Sequence, residues 1–97
     1  MILAFYLEGC PYCRQARKAI EELASQDKKY QGVGININWV EERQHPEISD
    51  KYDYYHVPCM FVNDKKIYEA KTGESYDECK LNVKKVLEEE LNAQKSK

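Results

Sequence analysis

The sequence predicts an α/β domain with the element order β-α-β-α-β-β-α and a four-stranded mixed sheet flanked by three helices. Three observations support this fold class. Apolar runs enclose a helical stripe in the first half of the 97-residue chain. Two further apolar runs lie close together behind a polar stretch, as in a hairpin. The last quarter is a long amphipathic segment, and the length predicts a single domain over residues 1–97.

The first half of the chain is typical of a parallel β-α-β unit. The run ILAFYL (2–7) predicts a buried strand. Pro11 suits the first position of a helix, because its missing N–H would have no partner there. The helix extends to about Ser25, and its buried stripe comprises Ala16, Ala19, Ile20, Leu23 and Ala24. In VGININWV (33–40) every second residue is apolar or aromatic, which predicts the second strand.

The second half predicts a short helix, a hairpin and a closing helix. Pro46 can open the short helix. VPCMFV (57–62) and IYEA (67–70) are read as strands, joined by a turn at NDKK (63–66).

A capping box marks the start of the last helix. Ser75 and Glu78 have the S-x-x-E spacing in which each side chain binds the other residue's backbone N–H. The buried stripe predicted for this helix comprises Cys79, Val83, Val86, Leu87 and Leu91.

Composition and charge restrict the possible functions. With 33% charged residues, 42% hydrophobic residues and a formal charge of −2, the chain is expected to be soluble and to have no nucleic-acid partner. No apolar run approaches the ~18 residues of a membrane span. The N-terminal run has no basic region of the kind that opens a signal peptide. We therefore expect a cytoplasmic monomer without a membrane partner.

The stretch GCPYCRQA (9–16) contains the two cysteines that are predicted to react with disulfides. If Cys10 lies between the first strand and the first helix, it is the N-cap residue. The N–H groups of Tyr12 or Cys13 and the helix dipole then favour a thiolate on Cys10, the form that attacks disulfides. Cys13, one turn later on the same side, can resolve the mixed disulfide that results. Pro11 stiffens the link between the two cysteines.

Other interpretations of the cysteines are weaker. A structural zinc site needs about four ligands, and Cys59, Cys79, His45 and His56 form no second metal-binding pattern. A permanent disulfide is unfavourable in a reducing cytoplasm. Cys59 and Cys79 are expected to be small buried residues. We predict no metal site and no bound cofactor.

HVPC (56–59) is the second segment of interest. Pro58 cannot donate a hydrogen bond to a sheet, so its position at the start of an apolar strand is unusual. A cis Val57–Pro58 bond would turn the chain into the strand. The Val57 backbone could then face Cys10 and pair with an extended substrate. The alternative is an ordinary trans proline at a strand edge.

CPYC after a short N-terminal strand resembles the motif of dithiol glutaredoxins, and the element order is similar to the thioredoxin fold along nearly the whole chain. The resemblance implies a thiol–disulfide oxidoreductase with Cys10 as nucleophile and Cys13 as resolving thiol. It also implies a cis Pro58, with Tyr12, Val57 and Gly73 at a glutathione-binding surface. The implied partners are disulfide-containing proteins or glutathione mixed disulfides, with glutathione as reductant.

Several positions depart from the glutaredoxin pattern. Leu7 stands where many glutaredoxins have a basic residue, and His56 stands where they usually have threonine. TGESYDE (72–78) replaces the family's paired glycines and aspartate. KYDYYHVP (51–58) resembles the stretch before the cis proline of thioredoxins. These differences leave open a thioredoxin-like reductase fed by a flavoprotein. Two alternatives of other classes are an iron–sulfur-binding module using Cys10 and a domain that only binds partners.

Overall fold

The computed structural model describes residues 1–95, apart from the side chain of Ile35. The four strands are β1 (Ile2–Tyr6), β2 (Asn38–Glu41), β3 (Cys59–Val62) and β4 (Lys65–Glu69). The helices are α1 (Pro11–Gln26), α2 (Gln31–Ile35), α3 (Pro46–Ser49) and α4 (Tyr76–Lys95), and a 3₁₀ turn (Lys28–Tyr30) precedes α2. No helix among these residues is long and apolar enough to cross a bilayer.

The strands form one mixed sheet in the order β2-β1-β3-β4. β1 pairs in parallel with β2 and antiparallel with β3, and β3 pairs antiparallel with β4. Phe5 of the central strand therefore has Val40 on one side and Cys59 on the other. The α/β class and the four-stranded mixed sheet predicted from the sequence are confirmed.

The two faces of the sheet bury different residues, because successive side chains of a strand point to opposite faces. Ala4 and Met60 pack on the face covered by α1 and α4. Phe5 and Phe61 pack on the other face, beneath Tyr52 and Tyr54. The end of β1, which leads into α1, therefore lies next to the start of β3 in the sheet.

The strand predicted over residues 33–40 is wrong in its first half. Those residues form α2, and β2 begins only at Asn38. Tyr30, Val33 and Ile37 are buried at the helical spacing i, i+3, i+7, which the alternation within VGININWV concealed. A Cβ at Gly34 would lie 3.1 Å from Cγ2 of Ile20, so α2 lies close against α1. Residues 1–95 therefore contain four α-helices rather than the three predicted.

The hairpin turn is tighter than predicted. Val62 pairs directly with Lys65, so the turn consists of Asn63 and Asp64 rather than residues 63–66. Both turn residues have positive φ, 48° and 69°, as the two central residues of a type I′ turn require. β4 consequently starts at Lys65 and ends at Glu69, which determines where that carboxylate lies.

The predicted cap and buried stripe of the last helix are confirmed. The Glu78 N–H donates to Ser75 Oγ at 3.1 Å, and the Ser75 N–H donates to Glu78 Oε1 at 3.4 Å. Four of the predicted stripe residues are fully buried: Cys79, Val83, Val86 and Leu87. Leu91 is partly buried against the same core.

Candidate functional site

Cys10 lies where β1 turns into α1. Gly9, with φ +79°, makes the turn, and Cys10 is the N-cap residue in an extended conformation. Pro11 occupies the first helical position, and the Cys13 N–H donates to Cys10 Sγ at 3.4 Å. Cys10 is partly exposed. The predicted N-cap position is confirmed, so a partly exposed sulfur lies at the positive end of a helix.

Cys13 has a different environment one turn later. Its side chain is only 2% exposed. Burial, aided by hydrogen bonding and charge interaction with Cys10, raises the pKa of the Cys13 thiol to about 12, although a backbone contact with Leu7 and the charge of Arg17 oppose the rise. Both cysteines are free thiols. The pair thus combines an accessible sulfur with a shielded one.

The Val57–Pro58 bond is cis, as the resemblance implied. The Cys10 thiol donates to the Val57 carbonyl oxygen at 3.9 Å, a long contact but one within reach of sulfur. Pro58 is buried, and its carbonyl accepts the Ala70 N–H at 3.0 Å. The structure therefore brings Cys10, Cys13, Val57 and Pro58 together.

Tyr12 and Gly73 also meet, but they bind each other. The Gly73 N–H donates to the Tyr12 hydroxyl oxygen at 2.7 Å. The Gln15 amide donates to the carbonyls of Glu74 and Ser75, at 3.5 and 3.3 Å. The loop before α4 is therefore attached to the first turns of α1, beside Cys10 and Cys13.

The Glu74 side chain points away from this loop surface into the core. Glu74 is 8% exposed, and its carboxylate accepts a short hydrogen bond from the Tyr68 hydroxyl. The same hydroxyl lies 3.5 Å from Cys79 Sγ. Burial, together with the neighbouring Cys79 and Glu74, raises the pKa of Tyr68 well above its usual range. This buried carboxylate was not predicted, since nothing in TGESYDE marks Glu74 as internal.

Glu69 holds the segment that precedes the cis proline. Its Oε2 accepts the backbone N–H groups of Tyr55 and His56, at 2.7 and 2.9 Å. Its Oε1 pairs with Lys66 Nζ at 2.8 Å. Burial opposes the charged form, but these hydrogen bonds outweigh it and lower the pKa of Glu69 to about 2. Glu69 was also not predicted from the sequence, because the pairing of β3 with β4 brings it beside residues 55 and 56.

Glu41 holds the loop on the other side of Cys10. It ends β2 and is 4% exposed. Its carboxylate accepts the N–H groups of Glu8 at 3.2 Å and Arg43 at 2.6 Å, and it pairs with the Arg43 side chain. Burial alone would raise the pKa of Glu41, but these donors lower it. Both chain segments next to Cys10 are thus attached to carboxylates at strand ends.

The two remaining cysteines are buried within the core. Cys59 is fully buried, and burial raises the pKa of its thiol to about 12. Cys79 is likewise buried, with its pKa raised by desolvation. Within residues 1–95, no group of three or more His, Cys, Asp and Glu side chains is arranged to hold a metal ion.

The chain matches a known protein-family model. Residues 2–75 match the family described as Thioredoxin domain. The match includes the cysteine pair, the cis proline and all four strands. A comparison with curated proteins gives no match. Since the family match covers most of the chain, the protein belongs to the thioredoxin-domain family and has the thioredoxin fold.

Proposed function

We propose that the protein is a glutaredoxin-like thiol–disulfide oxidoreductase that reduces protein disulfides or glutathione mixed disulfides with Cys10 and Cys13. Its family membership supports the general chemistry. The observation that carries the proposal is the pairing of a partly exposed Cys10 at a helix N-terminus with a buried Cys13 one turn later. This arrangement suits attack followed by resolution.

The reaction proceeds by two thiol–disulfide exchanges. The Cys10 thiolate attacks one sulfur of the substrate disulfide, whose S–S bond breaks as the other sulfur leaves as a thiolate and takes up a proton. Cys13 then loses its proton, and its thiolate attacks Cys10 Sγ. The mixed disulfide breaks and releases the second substrate thiol. Two electrons have passed to the substrate, and a Cys10–Cys13 disulfide remains in the protein.

The Val57 backbone supplies the docking edge in this proposal. Its carbonyl lies beside Cys10 Sγ, and its N–H has no hydrogen-bond partner among residues 1–95. An extended polypeptide next to a disulfide could pair with both groups, as an added strand pairs with a sheet edge. This pairing would hold the substrate sulfur against Cys10.

Glutathione is the reductant that we propose first, because the CPYC sequence resembles that of dithiol glutaredoxins. A thioredoxin-reductase-type flavoprotein is the second candidate, and the loop before α4 favours it. The N–H groups of Gly73, Glu74 and Ser75 already donate to Tyr12, Lys71 and Glu78. These donors are therefore already used within the protein and not directed at a glutathione carboxylate.

Two assays test the proposal. The first compares insulin disulfide reduction by the wild type, Cys10→Ser and the matched control Cys79→Ala. We expect reduction by the wild type and the control and none by Cys10→Ser; equal rates for all three would remove the redox assignment. The second follows re-reduction of the oxidised protein by glutathione with glutathione reductase, or by thioredoxin reductase. Recovery only in the second arm would overturn glutathione as reductant.

A further inference from the structure

The segment before the cis proline has little apolar packing of its own. Tyr55 is 87% exposed, and His56 is also exposed. The apolar contacts of this region come from its neighbours, with Tyr54 stacked on Phe5 and Val57 packed against the same cluster. The position of the Tyr55 and His56 backbone must therefore be set mainly by hydrogen bonds.

Those hydrogen bonds converge on one carboxylate. We propose that Glu69 is a positioning residue, which fixes the Tyr55–His56 backbone so that the open Val57 edge faces Cys10 and accepts an extended polypeptide substrate. One oxygen of Glu69 takes both N–H groups, at 2.7 and 2.9 Å. This inference rests on the proposed function, because it assigns a role within that site.

The ionised carboxylate of Glu69 is a stronger acceptor for these two N–H groups than a neutral side chain would be. Hydrogen bonds to a charged acceptor are shorter and stronger than neutral ones. The second oxygen binds Lys66 Nζ at 2.8 Å, and the same ammonium donates to the Asp53 carbonyl at 3.3 Å. The Lys66–Glu69 pair thus attaches residues 53, 55 and 56 to the end of β4.

Loss of Glu69 should impair substrate docking more than thiol reactivity. Without the carboxylate, the Tyr55 and His56 N–H groups would turn to water, and the segment would sample other positions. The substrate would then have to order Val57 on binding, which costs conformational entropy. Cys10 keeps its own N-cap contact with the Cys13 N–H, which does not involve Glu69.

The kinetic test uses two reagents of different size. For Glu69→Ala, we expect kcat/KM for insulin disulfides to fall about tenfold, mainly through KM, as the loss of a charged hydrogen bond predicts. The rate of Cys10 alkylation by iodoacetamide should stay within about twofold of the wild type. Glu21→Gln, a change of an exposed acid on α1, is the matched control. Equal losses in both reactions, or no loss in either, would overturn the proposal.

A rescue variant separates positioning from folding. In Glu69→Gln the amide oxygen can still accept an N–H, but the NH₂ group then faces Lys66. Adding Lys66→Met removes that conflict together with the Lys66 contact to the Asp53 carbonyl, so the double variant should recover part, but not all, of the activity that Glu69→Gln loses. A double variant no better than the single one would count against the proposal.

Amide hydrogen exchange provides a readout that does not depend on catalysis. The Tyr55 and His56 amides should be protected in the wild type and exchange faster in Glu69→Ala, while amides in β1 stay unchanged. Unprotected Tyr55 and His56 amides in the wild type would contradict the proposal that Glu69 holds this segment. A wild type that reduces no disulfide would overturn the proposed function instead, and the exchange result would still decide whether Glu69 holds the segment.

Discussion

At the scale of single residues, the two cysteines differ in environment rather than in chemistry. Cys10 is partly exposed and accepts a backbone N–H at a helix start. Cys13 is buried, and burial raises its pKa to about 12. The same backbone turn that exposes one sulfur shields the other. Under the proposed function, this difference would make Cys10 the thiol that attacks substrate and Cys13 the thiol that attacks only the mixed disulfide.

Selective alkylation tests this difference. At pH 8, a thiol with a pKa of about 12 is ionised in only about one molecule in ten thousand. We therefore expect iodoacetamide to label Cys10 in the native reduced protein and to leave Cys13 and Cys59 unlabelled, as read by peptide mass spectrometry. Labelling of Cys13 should rise with pH, because its thiolate forms only as pH approaches 12. Fast labelling of Cys10→Ser at Cys13 at pH 8 would contradict this account.

Residue positions set by local spacing could be predicted from the sequence. The N-cap position of Cys10 follows from a Cys-Pro pair between a strand and a helical stripe. Glu69 could not be found in the same way, because its partners Tyr55 and His56 are 14 and 13 residues away along the chain. Only the pairing of Cys59 with Glu69 brings the carboxylate to that segment.

At the scale of elements, α1 and α4 are joined through the loop that precedes α4. Tyr12 and Gln15 of α1 bind the backbone of residues 73–75, and the Ser75–Glu78 box starts α4. The start of α4 is therefore held from both sides. A change in its cap should affect the stability of the whole protein.

Removing the α4 cap should produce a measurable loss of stability. In Ser75→Ala the Glu78 N–H loses its side-chain acceptor, and the free energy of unfolding should fall by about 1 kcal/mol. The measurement is urea unfolding followed by circular dichroism. Ser25→Ala, at an exposed site in the last turn of α1, should change stability by less than about 0.5 kcal/mol. If both variants unfold at the same urea concentration, the box contributes nothing.

Helices and strands were predicted correctly where the apolar residues fit only one spacing, and wrongly where helical and strand spacings overlapped. The stripe from Ala16 to Ala24 fits only a helix, and the structure has α1 there. Residues 33–40 fit a strand by alternation, yet Tyr30, Val33 and Ile37 also have helical spacing. In the structure Gly34 lies close to Ile20 of α1, a long-range packing contact that the sequence alone does not show.

At the scale of the whole molecule, two strand ends hold the two segments that flank Cys10. Glu41 at the end of β2 binds the Glu8 backbone, and Glu69 at the end of β4 binds Tyr55 and His56. Both carboxylates have lowered pKa values in the folded protein. The positions of the two segments that flank Cys10 therefore depend on Glu41 and Glu69 being ionised.

This link predicts a particular acid response. A group whose pKa is lower in the folded state stabilises the protein above its unfolded pKa, and that contribution is lost as pH falls through the folded value. For Glu69 the loss should run from about pH 4.5 down to about 2. We expect Glu69→Gln to flatten the fall in Tm over this range, whereas Glu21→Gln should follow the wild type. Parallel curves for wild type and Glu69→Gln would contradict the Glu69 assignment.

The architecture was predictable because apolar runs and the β-α-β order restrict a short chain to few topologies. The sequence did not predict that the N–H groups of residues 73–75 are hydrogen-bonded within the protein, because those bonds depend on how α1 lies against the loop. These hydrogen bonds bear on whether glutathione or a flavoprotein is the reductant, which is the part of the function that the sequence left most ambiguous.

The central claim is that Cys10 attacks a disulfide and Cys13 resolves the product. The most direct measurement is to mix reduced Cys13→Ser with a peptide disulfide and locate the adduct by mass spectrometry. We predict a stable mixed disulfide on Cys10, whereas the wild type releases the peptide thiol and retains a Cys10–Cys13 disulfide. No adduct on Cys13→Ser, or an adduct on Cys13 in Cys10→Ser at a comparable rate, would contradict the account.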